Sequence, residues 1–164
     1  MERRLLLMRH AKSSWKTDAP TDHDRPLNKR GRRDSPKVAA EIQRLGWTPD
    51  YVLSSDAART AETLELMRKK LGFNGDGDLR SDLYHAGIDE LREALRELSD
   101  DTKTVLVLGH NPGWEEAVEW LAGEATVMKT AYVALLSIHA ESWAEGVDQG
   151  GAWTLHDMIR PKEL

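Results

Sequence analysis

Hydrophobic residues in this chain collect into short unbroken runs, separated by longer stretches in which they recur every three or four positions. Three runs stand out: Arg4–Arg9, Tyr51–Ser54 and Thr104–Gly109. None alternates with polar residues, so each predicts a strand buried on both faces of a parallel sheet. The stretches between them predict helices. Val38, Ile42 and Leu45 form one stripe; Ala57, Ala61, Leu64 and Leu71 form a second. Ile88, Leu91, Leu95 and Leu98 form a third, opened by Asp89 and Glu90, where acids suit a helix start. A fourth follows Pro112-Gly113 with Ala117, Val118 and Leu121. Two further strands are predicted at Tyr132–Ile138 and Ala152–His156. Strands alternating with helices give an α/β fold with a mostly parallel sheet covered on both sides. Residues 18–28 are polar and carry Pro20 and Pro26, which predicts a loop over one edge of the site.

No repeat, low-complexity tract or linker divides the chain, and 164 residues suffice for one domain spanning 1–164 with a core that needs no covalent staples. Cysteine is absent, which removes disulfides, thiolate metal sites and thiol nucleophiles. A net charge of −5 argues against nucleic acid as a partner, since that would need a basic face. The N-terminal apolar run, Leu5–Met8, is too short for a signal peptide core or a membrane span. The expectation is a cytoplasmic protein without a membrane partner. Its oligomeric state stays open.

Candidate chemistry gathers at the strand ends, the side on which open α/β sheets bind ligands. The first strand ends in Arg9-His10; the second ends in Ser54-Ser55, with Arg59 in the first turn of the next helix; the third ends in Gly109-His110-Asn111-Pro112-Gly113. Two arginines and two histidines therefore converge on one rim. A cation at a helix N-terminus opposes the dipole unless an anion is bound, so Arg59 either holds a phosphate or carboxylate or pairs with Asp56 or Glu62 on the surface. A single strand-end histidine is often structural; two in matching positions point to catalysis. His23, His85, His139 and His156 lack that context, and the last three read as structural or surface residues. No His-x-x-x-His or His-x-His spacing appears, and two arginines would repel a metal ion, so neither metal nor other cofactor is expected.

Taken in order, Arg9-His10-Ala11-Lys12-Ser13, Arg25-Pro26-Leu27-Asn28-x-x-Gly31, Ser54-Ser55-x-x-x-x-Arg59-x-x-x-Thr63 and Gly109-His110-Asn111-Pro112 resemble the histidine phosphatase superfamily, in particular its small SixA-type phosphohistidine phosphatases. The resemblance covers nearly the whole chain. It implies a three-layer α/β/α sandwich of the phosphoglycerate mutase-like kind and a covalent phosphohistidine mechanism without metal. It further implies His10 as nucleophile, Arg9, Arg59 and His110 as the phosphate pocket, and Arg25 and Ser13 as further phosphate-binding positions. Ala11 departs from the glycine more common in the superfamily, implying a backbone there that needs no positive φ. Larger relatives place a proton-donating acid after the second βα unit; the best match here is Asp82, which is otherwise a solvated loop residue.

The chemistry implied is attack by a neutral imidazole on phosphorus, with arginine charge offsetting that of the phosphoryl oxygens. An imidazole leaving group needs less help from an acid than an alkoxide does. Short connections suit an open pocket, and hence a phosphohistidine borne on a protein. A small phosphate ester handled by the same chemistry is the alternative, and a phospho-ligand-binding module without turnover is the alternative of another class. Trp15 and Trp114 fall beside the expected pocket and are candidates for its wall.

Overall fold

Successive residues of the first apolar run face opposite cores. Leu5 and Leu7 pack with Val105, Val107 and Trp114, while Leu6 and Met8 pack with Leu106, Leu108 and Ile42. That is why the run cannot alternate: both of its faces are dry. The structure is a computed structural model describing residues 1–164. Its elements in chain order are β1 (Glu2–Arg9), α1 (Lys29–Arg44), β2 (Tyr51–Ser55), α2 (Ala58–Leu71), β3 (Asp78–Arg80), α3 (Ile88–Arg96), β4 (Thr104–Gly109), α4 (Gly113–Ala122), β5 (Val133–His139), α5 (Trp143–Gly146) and β6 (Thr154–Ile159). Short 3-10 turns lie at Asp22–Asp24 and Ser81–Leu83.

The strands form one six-stranded sheet in the order β3-β2-β4-β1-β5-β6. Neighbours from β3 to β1 are parallel, whereas β5 runs antiparallel to both β1 and β6. Val38 and Ile42 of α1 and Leu64, Met67 and Leu71 of α2 cover one face. Leu91 and Leu95 of α3, Ala117, Val118 and Leu121 of α4 and Trp143 of α5 cover the other. The result is the expected three-layer α/β/α sandwich with a mostly parallel sheet.

Three details differ from the periodicity reading. The edge strand β3 was not expected: it has three residues, none buried, and pairs only with β2, so it carries no apolar signal. Strand β6 lies two to three residues beyond the predicted Ala152–His156, because the buried side chains Met158 and Ile159 fall at its far end. Helix α5 is a four-residue turn capped by Ser142, too short to show a stripe.

Two features of the frame position the site. Strand β1 pairs with β4 in a register that sets Arg9 opposite Gly109, so the next residues, His10 and His110, emerge side by side. Helix α1 is seated against the segment after His10. Asn28 caps it by accepting the Gly31 N–H at 2.9 Å, and the Asn28 N–H donates to the Lys12 carbonyl. A Cβ on Gly31 would lie 2.2 Å from the Lys12 carbonyl oxygen, so only glycine permits this approach.

Candidate active site

Strand ends, α2 and two loops line a cleft of about 240 Å³: Arg9 at the end of β1 and His10 after it, Arg59 from α2, His110 after β4, Ser13, Asp22 and Arg25 from the 10–28 connection, and Thr130 before β5. The two arginines and two histidines singled out at the strand ends and the start of α2 are thus in one place.

His10 is 6% exposed. Its Nδ1 lies 2.7 Å from the Ala11 carbonyl oxygen, an acceptor only, so Nδ1 carries the proton and Nε2 keeps its lone pair. Arg59 Nε approaches that Nε2 at 3.4 Å. Burial, opposed in part by the Ala11 carbonyl and reinforced by His110, Arg59 and Arg9, pushes the His10 pKa down to about 3. The ring is therefore neutral at physiological pH, with a free nitrogen facing cations.

His110, 8% exposed, sits 5.2 Å from His10 between ring centroids. Its Nε2 is 2.9 Å from Ser55 Oγ, which already accepts the Ala57 N–H. The Ser55 hydroxyl proton is thus free to satisfy Nε2, which leaves Nδ1–H as the ring's donor; Nδ1 has no protein partner. Burial, and after it the Arg59 charge, lowers the His110 pKa to about 4.

The spacing Arg59-x-x-x-Thr63 has a mechanical reason. Thr63 Oγ1 accepts the Ala11 N–H at 3.1 Å and donates to the Arg59 carbonyl at 2.6 Å, locking the turn after His10 to the first turn of α2. Ala11 is buried and free of positive φ. Arg9 donates to the Met128 carbonyl at 3.1 Å, and Asn111 Nδ2 donates to the same oxygen at 2.7 Å. Burial lowers the Arg9 pKa, but a guanidinium stays charged.

The partner of Arg59 is neither of those expected. Asp56 is bonded to His23 and Glu62 accepts the Leu27 N–H; Arg59 instead reaches Asp22, donating to its carbonyl at 2.9 Å and to Oδ2 at 3.1 Å. Asp22 Oδ1 also accepts from Arg25 Nε at 2.9 Å, and Oδ2 from the Tyr84 hydroxyl. These bonds, Tyr84's foremost, hold the Asp22 carboxyl far below the usual carboxylate range. Arg25 donates to Ser13 Oγ at 3.1 Å and lies 3.5 Å under the Trp15 ring.

Other expectations are corrected. Asp82 does not line the cleft. Its two oxygens accept the Arg80 fork at 3.0 and 2.8 Å, and that bond holds its carboxyl below the ordinary value. Trp114 is no wall: it is fully buried, its Nε1–H donates to the Met8 carbonyl at 3.0 Å, and its ring packs against Gly109. Trp15, 75% exposed, does stand at the cleft. His139 is exposed and His156 is bonded to Ser137, whereas His85 stands on a second cleft beside Tyr84. Sequence reasoning missed Asp22 and Tyr84; the signal available was an acid three residues before Arg25 in Asp22-His23-Asp24-Arg25.

A sequence model of the histidine phosphatase superfamily (branch 1) matches residues 5–86. An uncharacterized chloroplastic protein of Arabidopsis thaliana is 38% identical, over 98% of this chain and 79% of its own. Among solved structures, a candidate phosphohistidine phosphatase SixA from Nakamurella multipartitia superposes with a TM-score of 0.86 at 28% identity, covering 98% of this chain and 97% of that one. A protein histidine phosphatase SixA complexed with tungstate shares the fold, with a TM-score of 0.83 at 22% identity over 98% of each chain. This chain therefore belongs to the histidine phosphatase superfamily, and its activity is that of a phosphatase.

Proposed function

We propose that the protein removes phosphoryl groups from phosphohistidine in a protein, through a phosphoryl group carried transiently on His10 Nε2 and without a metal ion. The observation that carries the reading is the state of His10: Nδ1–H fixed by the Ala11 carbonyl, Nε2 unprotonated, and cationic Arg9, Arg25 and Arg59 around the same cleft.

In this reading the Nε2 lone pair attacks phosphorus as the bond to the leaving group breaks. Arg9 and Arg59 take the phosphoryl oxygens, which spread their charge in a loose transition state. Arg25, with Ser13 bonded to it, adds charge at the outer side. His110 donates from Nδ1 to an equatorial oxygen, and the incoming phosphoryl charge raises the affinity of that imidazole for its proton. Water then attacks phosphorus, breaks the P–N bond and releases orthophosphate, returning the lone pair to Nε2.

A protein substrate is supported by the open rim, where Trp15, Asp22 and His85 are all exposed. The SixA name of the Nakamurella structure supports the same substrate class. The cytoplasmic location and the single domain over 1–164 belong to the same proposal. No helix is long and apolar enough to cross a membrane, and the plant relative is chloroplastic, so compartment does not follow the family.

The test is trapping. Brief incubation with a phosphohistidine protein labelled on phosphorus should give an acid-labile, base-stable phosphoenzyme. His10→Ala should lose both the label and turnover, by at least a thousandfold, with its circular dichroism unchanged. Residual turnover above one tenth of wild type would remove His10 as nucleophile.

A further inference from the structure

Next to the phosphate cleft lies a second one of about 340 Å³, and the two share Asp22, Arg59, His110 and Asn111 as a common wall. His10 faces only the first. The second is completed by Tyr84, His85 and Glu116. A phosphoryl group held at His10 would have its leaving group beyond the first cleft, and the shared wall, which includes Arg59 and His110, borders the second. On the Trp15 side the first cleft adjoins a third depression, which Arg25 lines. Asp22 borders all three.

The second cleft has a distinct chemistry. Its walls hold two carboxylates, Asp22 and Glu116, and an aromatic ring, Tyr84, whose edge meets the His110 ring at 5.5 Å between centroids. Of the roughly four lone-pair positions of a carboxylate, Asp22 has three filled, by Arg25, Arg59 and Tyr84, which leaves one for a ligand donor. We propose that this cleft is the leaving-group subsite, and that Asp22 together with Glu116 selects substrates whose phosphoryl group is borne on a protonated nitrogen ring, phosphohistidine above all, over phosphate esters. The inference rests on the reading of His10 as the nucleophile and names the feature that sets its substrate class.

The electron and proton balance explains the selection. A phosphohistidine protonated on its second ring nitrogen is an imidazolium. When His10 Nε2 bonds to phosphorus, the P–N bond breaks and its electron pair returns to the departing nitrogen, so the ring leaves as neutral imidazole with its proton still on the other nitrogen. No acid is required. A carboxylate within hydrogen-bond reach of that N–H favours the protonated, reactive form. An alkyl ester has no such proton and leaves as an alkoxide. Asp22, ionised and held by two arginines and a tyrosine, has no proton to give it. The carboxylates also offset the repulsion that a cationic ring meets from Arg59.

The experiment measures kcat/KM for free phosphohistidine and for 4-nitrophenyl phosphate in the wild type, Asp22→Asn and Glu116→Gln. Asparagine keeps the shape and one acceptor for the arginines while removing the charge. The phosphohistidine-to-aryl ratio should fall tenfold or more in Asp22→Asn and about threefold in Glu116→Gln. Equal losses on both substrates in Asp22→Asn would make it a positioning residue for Arg59 and overturn the selection. Should Asp22→Asn fail to fold, the exposed Glu116→Gln decides: an unmoved ratio overturns the proposal. Wild-type protein inert on both substrates would instead defeat the underlying phosphatase reading, so the two failures are distinct.

Discussion

His10 and His110 are 6% and 8% exposed and stand at the ends of paired strands; Asp22, with a side chain 50% exposed, and His85 stand on turns around them. The floor of the pocket is cationic or neutral, dry, and fixed by sheet register. The rim is acidic and aromatic, wet, and fixed by side-chain bonds between distant loops. The contrast separates two tasks. In the proposed mechanism the floor supplies what any phosphoryl group needs, namely a nucleophile and donors for its oxygens, and a low local dielectric strengthens both. Under the same proposal the rim meets the part of the substrate that varies.

The contrast can be sharpened at the floor first. Arg59→Lys keeps the charge but loses the planar fork. A fall in kcat/KM on the order of tenfold to a thousandfold is expected, equivalent to roughly 1.4–4 kcal/mol. A change under twofold, read with any phosphate ester, would mean that Arg59 does not touch the phosphoryl group.

A second consequence of the dry floor is a cost in stability. Because His10 and His110 titrate at about 3 and about 4 in the fold, against about 6.5 when unfolded, the unfolded chain binds more protons below pH 6.5. Stability from these groups is complete above pH 6.5 and is lost as pH falls toward the folded values. Between pH 7 and pH 4.5 the unfolding free energy of His10→Asn should therefore fall by about 2–3 kcal/mol less than that of the wild type. Identical acid sensitivity in urea titrations of the two proteins would show that His10 is not buried neutral.

The smallest effect belongs outside both regions. Asp82 is gripped by Arg80 and lines neither cleft, so Asp82→Asn should change kcat/KM by less than twofold on phosphohistidine and on alkyl or aryl phosphates alike. A loss confined to alkyl phosphates would restore it as a proton donor.

What could be read from the sequence follows the same division. The unalternated runs announce strands buried on both faces, and the strand ends carry Arg9, His10 and His110 to one edge of the sheet whatever the loops do. Arg59 is also legible, because a cation in a first helical turn calls for an anion. Its actual partner is not: Asp22 is 37 positions away, whereas Asp56 and Glu62 are near in sequence but engaged elsewhere. Asp82 misleads for the opposite reason, since an arginine two residues earlier satisfies it locally. Trp114 is ambiguous in principle, because an indole beside a site suits either wall or core. The side chain at position 109 decides, and glycine there leaves room for the ring beneath the strand.

The place of β4 in the sheet also sets what a shortened chain would lack. β1 and β2 never pair with each other; β4 lies between them, and on that side of the sheet it is the sole neighbour of β1. A chain through residue 86 contains His10, all three cleft arginines and three strands, yet the central gap in its sheet is unfilled. Such a chain also lacks His110, Met128, whose carbonyl holds Arg9 and Asn111, and Ala131, whose N–H bonds the Arg9 and His10 carbonyls. Shortened in this way, the chain carries the Arg-His pair without the neighbouring strand and the second histidine that complete the cleft.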